Sequence, residues 1–514
     1  MQSAGSTSVS FSSRSSDLKI GDMTIAELRR FRQLSLALLA ALLAAACGGG
    51  GNTGGSSSAN GDNSGSACSL TNRQNWVVSQ MNEWYLYPDT LPQNINVANY
   101  NSIDALISAM IATAKSQNKD RDFTYITSAS QEDALIRSGA TAGFGILLYY
   151  DLTVRRVFIL ESYETAPAYA TANIDRGDEL IAIGTSTTDM RLVSDIIAAE
   201  GRQGVSNALG PSTAGLTRIL RIARGTNVRD VTVAKANYSL EPISPRYGAR
   251  IIDDGGKRYG YINLRTFIVS SASDRLKEEF LKFRNAGITE IVIDFRYNGG
   301  GLVSVAETMG DLLGGNRQTS DVFSETVYRS SKSSRNSQKR FSPQSQSVSP
   351  TKLAFITSSS SASASELVIN SFIPYYNDRL ALIGGNTFGK PVGQIAADNS
   401  ACDDRLRVLA FTTRNSANSD GYFNGLAEAV KASCRANDDF MQALGSASEG
   451  STRQALDWLQ GRSCTPIPAS TAQAAYASGI GQETLVEADL ALQLEPLPVS
   501  DPLTPAQREI PGLF

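Results

Sequence analysis

Residues 353–370 read LAFITSSSSASASELVIN. Leu353, Ala354, Phe355 and Ile356 form an apolar run of strand length. Thr357 to Glu366 is a turn of small side chains, and Leu367, Val368 and Ile369 restart the apolar pattern as a helix. Strand, small-residue turn and helix sets a hydroxyl at a helix N-terminus, where free N–H groups and the dipole favour a developing anion. Working outward, Glu290–Phe295 and Tyr259–Leu264 read as two more strands. Ser273 is placed to N-cap a helix carrying Leu276, Phe280 and Phe283 on one face, and Gly287 to stop it. Strands alternating with helices predict an α/β sheet covered by helices. The Ser-, Lys- and Arg-rich stretch from Ser330 to Ser349 is a solvated insertion.

Two other segments bring chemistry to that turn. Asn386-Thr387-Phe388-Gly389-Lys390-Pro391-Val392-Gly393-Gln394 surrounds Lys390 with apolar residues. Desolvation lowers a lysine pKa, and only the neutral amine can take a proton from a serine. Asp294-Phe295-Arg296-Tyr297-Asn298-Gly299-Gly300-Gly301 is a glycine-rich turn leaving a strand, a source of exposed N–H groups. The chain of 514 residues contains no histidine. Ser-His-Asp triads, Cys-His dyads and His-ligated metal sites are therefore excluded. Proton transfer near neutral pH falls to Lys, Asp, Glu, Tyr, Cys or water.

The flanks differ in pattern. From Cys68 to about Tyr125 the apolar spacing is helical, with Trp76, Val77, Met81, Trp84 and Tyr85, then Ile103, Leu106, Ile107, Met110 and Ile111. From about Ala140 to Lys235 it is strand-like, with runs at 143–150 and 157–160 and a short helix opened by Pro167. The stretch from Ala166-Pro167-Ala168 to Gly177-Asp178-Glu179-Leu180 resembles a PDZ domain. In that resemblance Gly143, Phe144, Gly145 and Ile146 are the loop that receives a peptide's terminal carboxylate on successive N–H groups. The peptide adds as a strand, and Phe144 and Ile146 line the pocket for its last side chain. After Ile395 the pattern is weaker. Arg405–Thr413 suggests a strand, 441–444 and 455–459 suggest helices, and the Pro-rich tail after Leu494 reads as extended.

Taken in order, the SASASE of residues 361–366, the TFGK-x-x-x-Q of Thr387 to Gln394, the DFR-x-N-x-GG of Asp294 to Gly301 and the GYI of Gly260–Ile262 resemble the C-terminal processing (tail-specific) proteases. The resemblance covers about residues 140–395. It implies an α/β core of the ClpP/crotonase type, a PDZ-like domain before or inserted into it, and an N-terminal helical cap. It also implies a Ser-Lys dyad. Ser363 would be the nucleophile, Lys390 the general base and Gln394 the residue that orients the lysine. The N–H groups of Ala364 and Gly300 would form the oxyanion hole. Phe295 stands where the family has Leu. Ser363 lies 27 residues before Lys390, longer than the family's habit, whereas Ser365 lies 25 before it. Ser365 is thus the alternative nucleophile unless the extra residues sit in the 372–379 turn. No metal or cofactor is implied.

The N-terminus suggests export. Arg29, Arg30 and Arg32 precede a largely apolar run of 13 residues from Leu34 to Ala46, a signal-peptide core too short to span a bilayer. Leu43-Ala44-Ala45-Ala46-Cys47 resembles a lipobox, which makes Cys47 a lipidation site and the membrane a partner through a lipid anchor. Cleavage after an Ala-x-Ala with release is the alternative. Either Met1 or Met23 is the start. Residues 48–67 form a Gly/Ser/Asn linker. Cys68, Cys402, Cys434 and Cys464 allow three disulfide pairings, among which sequence does not choose. With 47 basic and 50 acidic residues and a pI near 5.4, nucleic acid is not an expected partner.

The expected organisation is a signal-peptide and lipobox region over 1–47, a linker over 48–67, a helical cap over 68–135, a PDZ-like domain over 136–240, a protease core over 245–430, and a C-terminal helical region with extended tail over 431–514. The expected activity is a serine endopeptidase of the cell envelope, a lipoprotein facing the periplasm. It would cleave polypeptides near apolar C-terminal tails through an acyl-enzyme. A catalytically silent peptide-binding scaffold of the same fold, or a hydrolase of another acyl or small-molecule substrate, are the competing readings. Sequence sets no oligomeric state.

Overall fold

The computed structural model describes residues 67–468, 503–510 and 512–514. The expected leader, the Cys47 lipobox and nearly all of the linker lie outside the described residues. No helix among the described residues is long and apolar enough to cross a membrane.

The centre is a six-stranded sheet in the order Ala249–Asp254, Lys257–Asn263, Glu290–Asp294, Lys352–Thr357, Leu380–Gly384, Ala432–Arg435. The first pair is antiparallel and the other four pairings are parallel. Ile291, Ile293, Leu353, Phe355, Leu380 and Leu382 pack on one face beneath the helices Ala272–Asn285, Val303–Leu313 and Ala364–Tyr376. Val292, Ala354, Ile356, Ala381 and Ile383 pack on the other, against the helix Gly450–Leu459. Burial on both faces is why these strands read as unbroken apolar runs rather than alternating ones. Each buried Leu, Ile or Phe contributes about 1.5–3 kcal/mol, against about 0–1 for an exposed ion pair, so these clusters hold the core.

Several local expectations are corrected. The 272–285 helix begins one residue before Ser273, and Ser271 stands at its N-cap. Gly287 follows its end with φ +68°. Residues 441–444 are turns rather than helix. The C-terminal region is not wholly helical, because Ala432–Arg435 completes the core sheet as its edge strand. Nor is the tail wholly extended: Pro505–Glu509 is a short helix capped by Thr504.

A second sheet joins the start of the chain to the core. Tyr125–Ser128, Val322–Tyr328 and Val392–Asn399 all pair antiparallel with Asp404–Arg414. The helices Leu70–Trp84 and Ile103–Ser116 pack on this sheet through Val77, Met81, Leu106, Met110, Leu406 and Val408. Cys68 pairs with Cys402 and Cys434 with Cys464, each with Cα atoms 5.4 Å apart. The first staples the leading helix to the far end of the long strand, closing 334 residues. Such a bridge restrains the unfolded chain and contributes about 3–5 kcal/mol.

Between these parts lies an antiparallel β unit in the order Ile146–Asp151, Arg156–Ser162, Glu179–Gly184, Thr217–Arg224, Asn227–Ala234. Its own core contains Phe144, Ile146, Leu148, Ile159, Ile174, Ile196 and Leu220. Buried ions join this unit to the central sheet. Arg176 donates to Asp438, to the Tyr297 hydroxyl and to the Leu160 carbonyl. Arg265 donates to Glu161 and Glu164. Arg296 is held by Asp294, Asp438 and Glu449. Removing one partner from such a buried set costs about 3–5 kcal/mol.

Candidate active site

Two neighbouring parallel strands, Glu290–Asp294 and Lys352–Thr357, end side by side, and their following loops meet beyond their C-terminal ends. Open α/β sheets place their sites there. The loops are stitched together. Ala362 N–H and the Ser365 hydroxyl donate to the Asn298 carbonyl at 3.1 and 3.0 Å. The Ser361 hydroxyl donates to the Phe295 carbonyl at 2.8 Å, and the Ser358 hydroxyl donates to the Arg296 carbonyl.

That stitching separates the serines. Ser361 and Ser365 are fully buried and their hydroxyls are engaged. Ser363 is half-buried, and its backbone sits at φ 54°, ψ −110°. A non-glycine residue there carries strain of about 1–3 kcal/mol, held by its surroundings. Its φ lifts the residue out of the turn at the N-terminus of the helix Ala364–Tyr376. Ala364, the first helical residue, has no intrahelical acceptor for its N–H. Gly300 packs directly on this turn: a Cβ on it would lie 2.8 Å from Ser363 Cβ and 3.1 Å from Ala364 N. With φ +118°, only glycine fits. The Gly300 N–H itself donates to Asn298 Oδ1 at 2.9 Å, so it is not free in this state.

Lys390 is half-buried on the facing loop. Its Nζ donates to Gln394 Oε1 at 3.5 Å and lies 4.9 Å from the centre of the Phe123 ring. It makes no hydrogen bond to a serine of the 358–365 turn. Burial lowers its pKa below the ordinary lysine value, partly opposed by the carboxyls of Glu509, Asp120 and Glu366. Gln394 in turn donates to the Phe123 carbonyl.

Glu366 ties the two loops. One carboxylate oxygen accepts Ser363 N–H at 3.0 Å and Lys390 N–H at 2.8 Å. The other accepts Gly389 N–H at 2.7 Å. The side chain is fully buried; burial raises its pKa while these N–H groups and Thr387 oppose the rise. Sequence reasoning quoted this Glu without giving it work. It also missed the 120–123 loop. Asp120 accepts Phe123 N–H, Thr124 and the Tyr85 hydroxyl, and Arg121 donates to the carbonyls of Phe388 and Gly389. The signal available was the charged Asp120-Arg121-Asp122 set directly before the buried Phe123.

The Gly143–Ile146 loop holds part of the chain itself. Gly145 and Ile146 N–H donate to the Phe514 oxygen at 2.7 and 3.2 Å, and Phe514 N–H donates back to the Ile146 carbonyl at 2.9 Å. Gly145, at φ +74°, has no room for a Cβ, which would lie 2.0 Å from Ala166 Cβ. No cluster of metal-ligating side chains occurs among the described residues.

Comparisons with known proteins agree on one family. The model for peptidase family S41 matches residues 258–426, and that for the peptidase S41 N-terminal domain matches 72–125. The chain is 25% identical over 346 residues to a chloroplastic C-terminal processing peptidase of Tetradesmus obliquus, covering 64% of this chain and 66% of that one. It is 23% identical over 148 residues to a tail-specific protease of Haemophilus influenzae, covering 29% of this chain and 20% of that one. Among solved structures, a putative S41 protease from Bacteroides fragilis superposes with a TM-score of 0.59 at 21% identity, over 75% of this chain and 97% of that one, which fixes the fold.

Proposed function

Because the chain belongs to peptidase family S41, we propose that it is a serine endopeptidase whose nucleophile is Ser363 and whose base is Lys390. The observation that carries this is the single Glu366 oxygen bonded to the N–H of both residues, which fixes nucleophile turn and base loop to each other. The half-exposed, strained Ser363 favours it over the buried Ser365.

The PDZ-like groove takes a polypeptide's apolar C-terminal tail along the strand Ile146–Asp151. Lys390, neutral and turned from Gln394 toward Ser363, removes the hydroxyl proton. The alkoxide attacks a peptide carbonyl. Ala364 N–H at the helix N-terminus and Gly300 N–H, released from Asn298, hold the oxyanion. The amine leaves with a proton from Lys390, and water hydrolyses the acyl-enzyme. Rate should climb with pH until the amine is deprotonated, and level off below the ordinary lysine range. Two disulfides fit an oxidising compartment, and with the N-terminal residues they support export to the cell envelope with Cys47 as the lipid anchor.

The test compares the parent with Ser363→Ala and Lys390→Ala on unstructured polypeptides with apolar C-termini. Loss of about 10³-fold or more in kcat in both variants is expected. Full activity in both would remove the dyad. Tail binding by the parent without cleavage would favour the scaffold.

A further inference from the structure

One described segment has no part in that mechanism, yet it touches both of its ends. Leu513 bridges Leu147 as an antiparallel strand, and Phe514 makes three backbone hydrogen bonds with Gly145 and Ile146. This is strand addition to the carboxylate loop. The Phe514 ring is 6% exposed and shares a cluster with Phe144 and Ile146. Upstream, Ala506, Ile510 and Leu513 are buried with Ile268, Val269 and Tyr297, beside the Gly300–Gly301 turn. Arg508 lies over the Tyr125 ring at 4.1 Å. One short segment thus fills the groove and packs beside the Gly300–Gly301 turn.

We propose that the segment 503–510 with 512–514 is an internal ligand of the PDZ-like groove, which excludes substrate tails until it is displaced, and that the tails able to displace it seat an apolar residue of aromatic size where Phe514 sits. The inference rests on the groove assigned above, but not on the chemistry at Ser363. The segment follows the path a captured tail would take from groove to catalytic turn. The buried Phe514 ring sets the size of the side chain that seats against Phe144 and Ile146, and Leu513 sets an apolar residue before it.

A fluorescent peptide of residues 509–514 tests this on the Ser363→Ala protein. Its affinity is measured by anisotropy for the full chain, for a chain lacking 503–514, and for the full-length double variant Leu513→Asp, Phe514→Asp. Either release variant should bind the peptide at least tenfold more tightly than the full chain, and a peptide ending in Leu-Asp should bind neither. Equal affinity for all three proteins overturns the proposal. On the active enzyme, release should raise kcat/KM for a tailed substrate at least fivefold, independently of protein concentration. Inhibition that grows with protein concentration would place a second copy's tail in the groove and overturn it too. Tighter peptide binding on release with no cleavage by any variant would sink the peptidase reading alone. Cleavage with unchanged binding would sink this one alone.

Discussion

The loops proposed for catalysis and the β unit proposed to hold a peptide each carry a lysine shielded from solvent, and the two lysines behave differently. Burial is the main cause of a lowered pKa in both, and Lys235 falls to about 7. Lys235 is 1% exposed, donates to the carbonyls of Gly210 and Pro211 at 2.6 and 2.9 Å, and lies 4.8 Å from the centre of the Phe144 ring. Its donors are committed to backbone. Lys390 is half-buried, has one long bond to Gln394, and sits on a loop tied to the Ser363 turn. A depressed pKa marks burial; a base also needs access, a loosely held donor and a nucleophile on a neighbouring loop.

The sharpest way to break that comparison is to remove each amine. Lys390→Met should cost about 10³-fold or more in kcat, while Lys235→Met should leave kcat at saturating substrate within about threefold. Equal losses would mean that the contrast is false. Next in size is Glu366→Gln. An amide accepts on one atom only, so it cannot hold three N–H groups on two oxygens. A loss of about 10²-fold in kcat with KM nearly unchanged is expected, because Glu366 holds both proposed partners by their backbone N–H groups. A matching rise in KM would instead mean that the site has collapsed.

What was legible follows burial. The strands 290–294 and 352–357 were plain in the sequence because both faces are covered. The edge strand Ala432–Arg435 was not, because it has few apolar residues and pairs on one side only. Residues 441–444 carry helix-forming types, but Arg176 donates to the Gln442 carbonyl, and Gly445 turns the chain at φ +69° against Tyr261. The motif serines were legible as a group. The motif pointed to Ser363 with Ser365 as the alternative; that the Ser361 and Ser365 hydroxyls are consumed by the Phe295 and Asn298 carbonyls was not readable from it. The short helix after Thr504 had a readable signal, Thr-Pro-Ala-Gln, a capping box with Pro at the first position. Its destination had none, because a docking partner more than 350 residues away leaves no local trace.

Gly145→Ala separates groove from catalytic centre at moderate size. The added methyl meets Ala166 Cβ at 2.0 Å on a backbone at φ +74°, so the loop must shift. Peptide affinity and kcat/KM on tailed substrates should fall about tenfold, while kcat on a short substrate that bypasses the groove stays put. A fall in kcat on the short substrate would show that the groove and the catalytic loops move as one body.

The smallest effect on catalysis, and the finest probe of the groove, is the pH dependence that Lys235 gives to stability. Its folded pKa of about 7 lies below the ordinary unfolded value of about 10.4. Above the unfolded value the amine is neutral in both states and the group adds nothing. As pH falls toward 7, the unfolded chain takes up a proton that the fold disfavours, so stability is lost across that window and levels off below it. The loss is at most about 5 kcal/mol, the full separation of the two values. Urea midpoints at about pH 7 and pH 9.5 should therefore differ less in Lys235→Met than in the parent, by about 1–3 kcal/mol once multiplied by m. An unchanged difference would mean that the amine stays charged on Gly210 and Pro211. Burial under Phe144 would then be offset by those two hydrogen bonds, and the two lysines would differ in charge as well as in use.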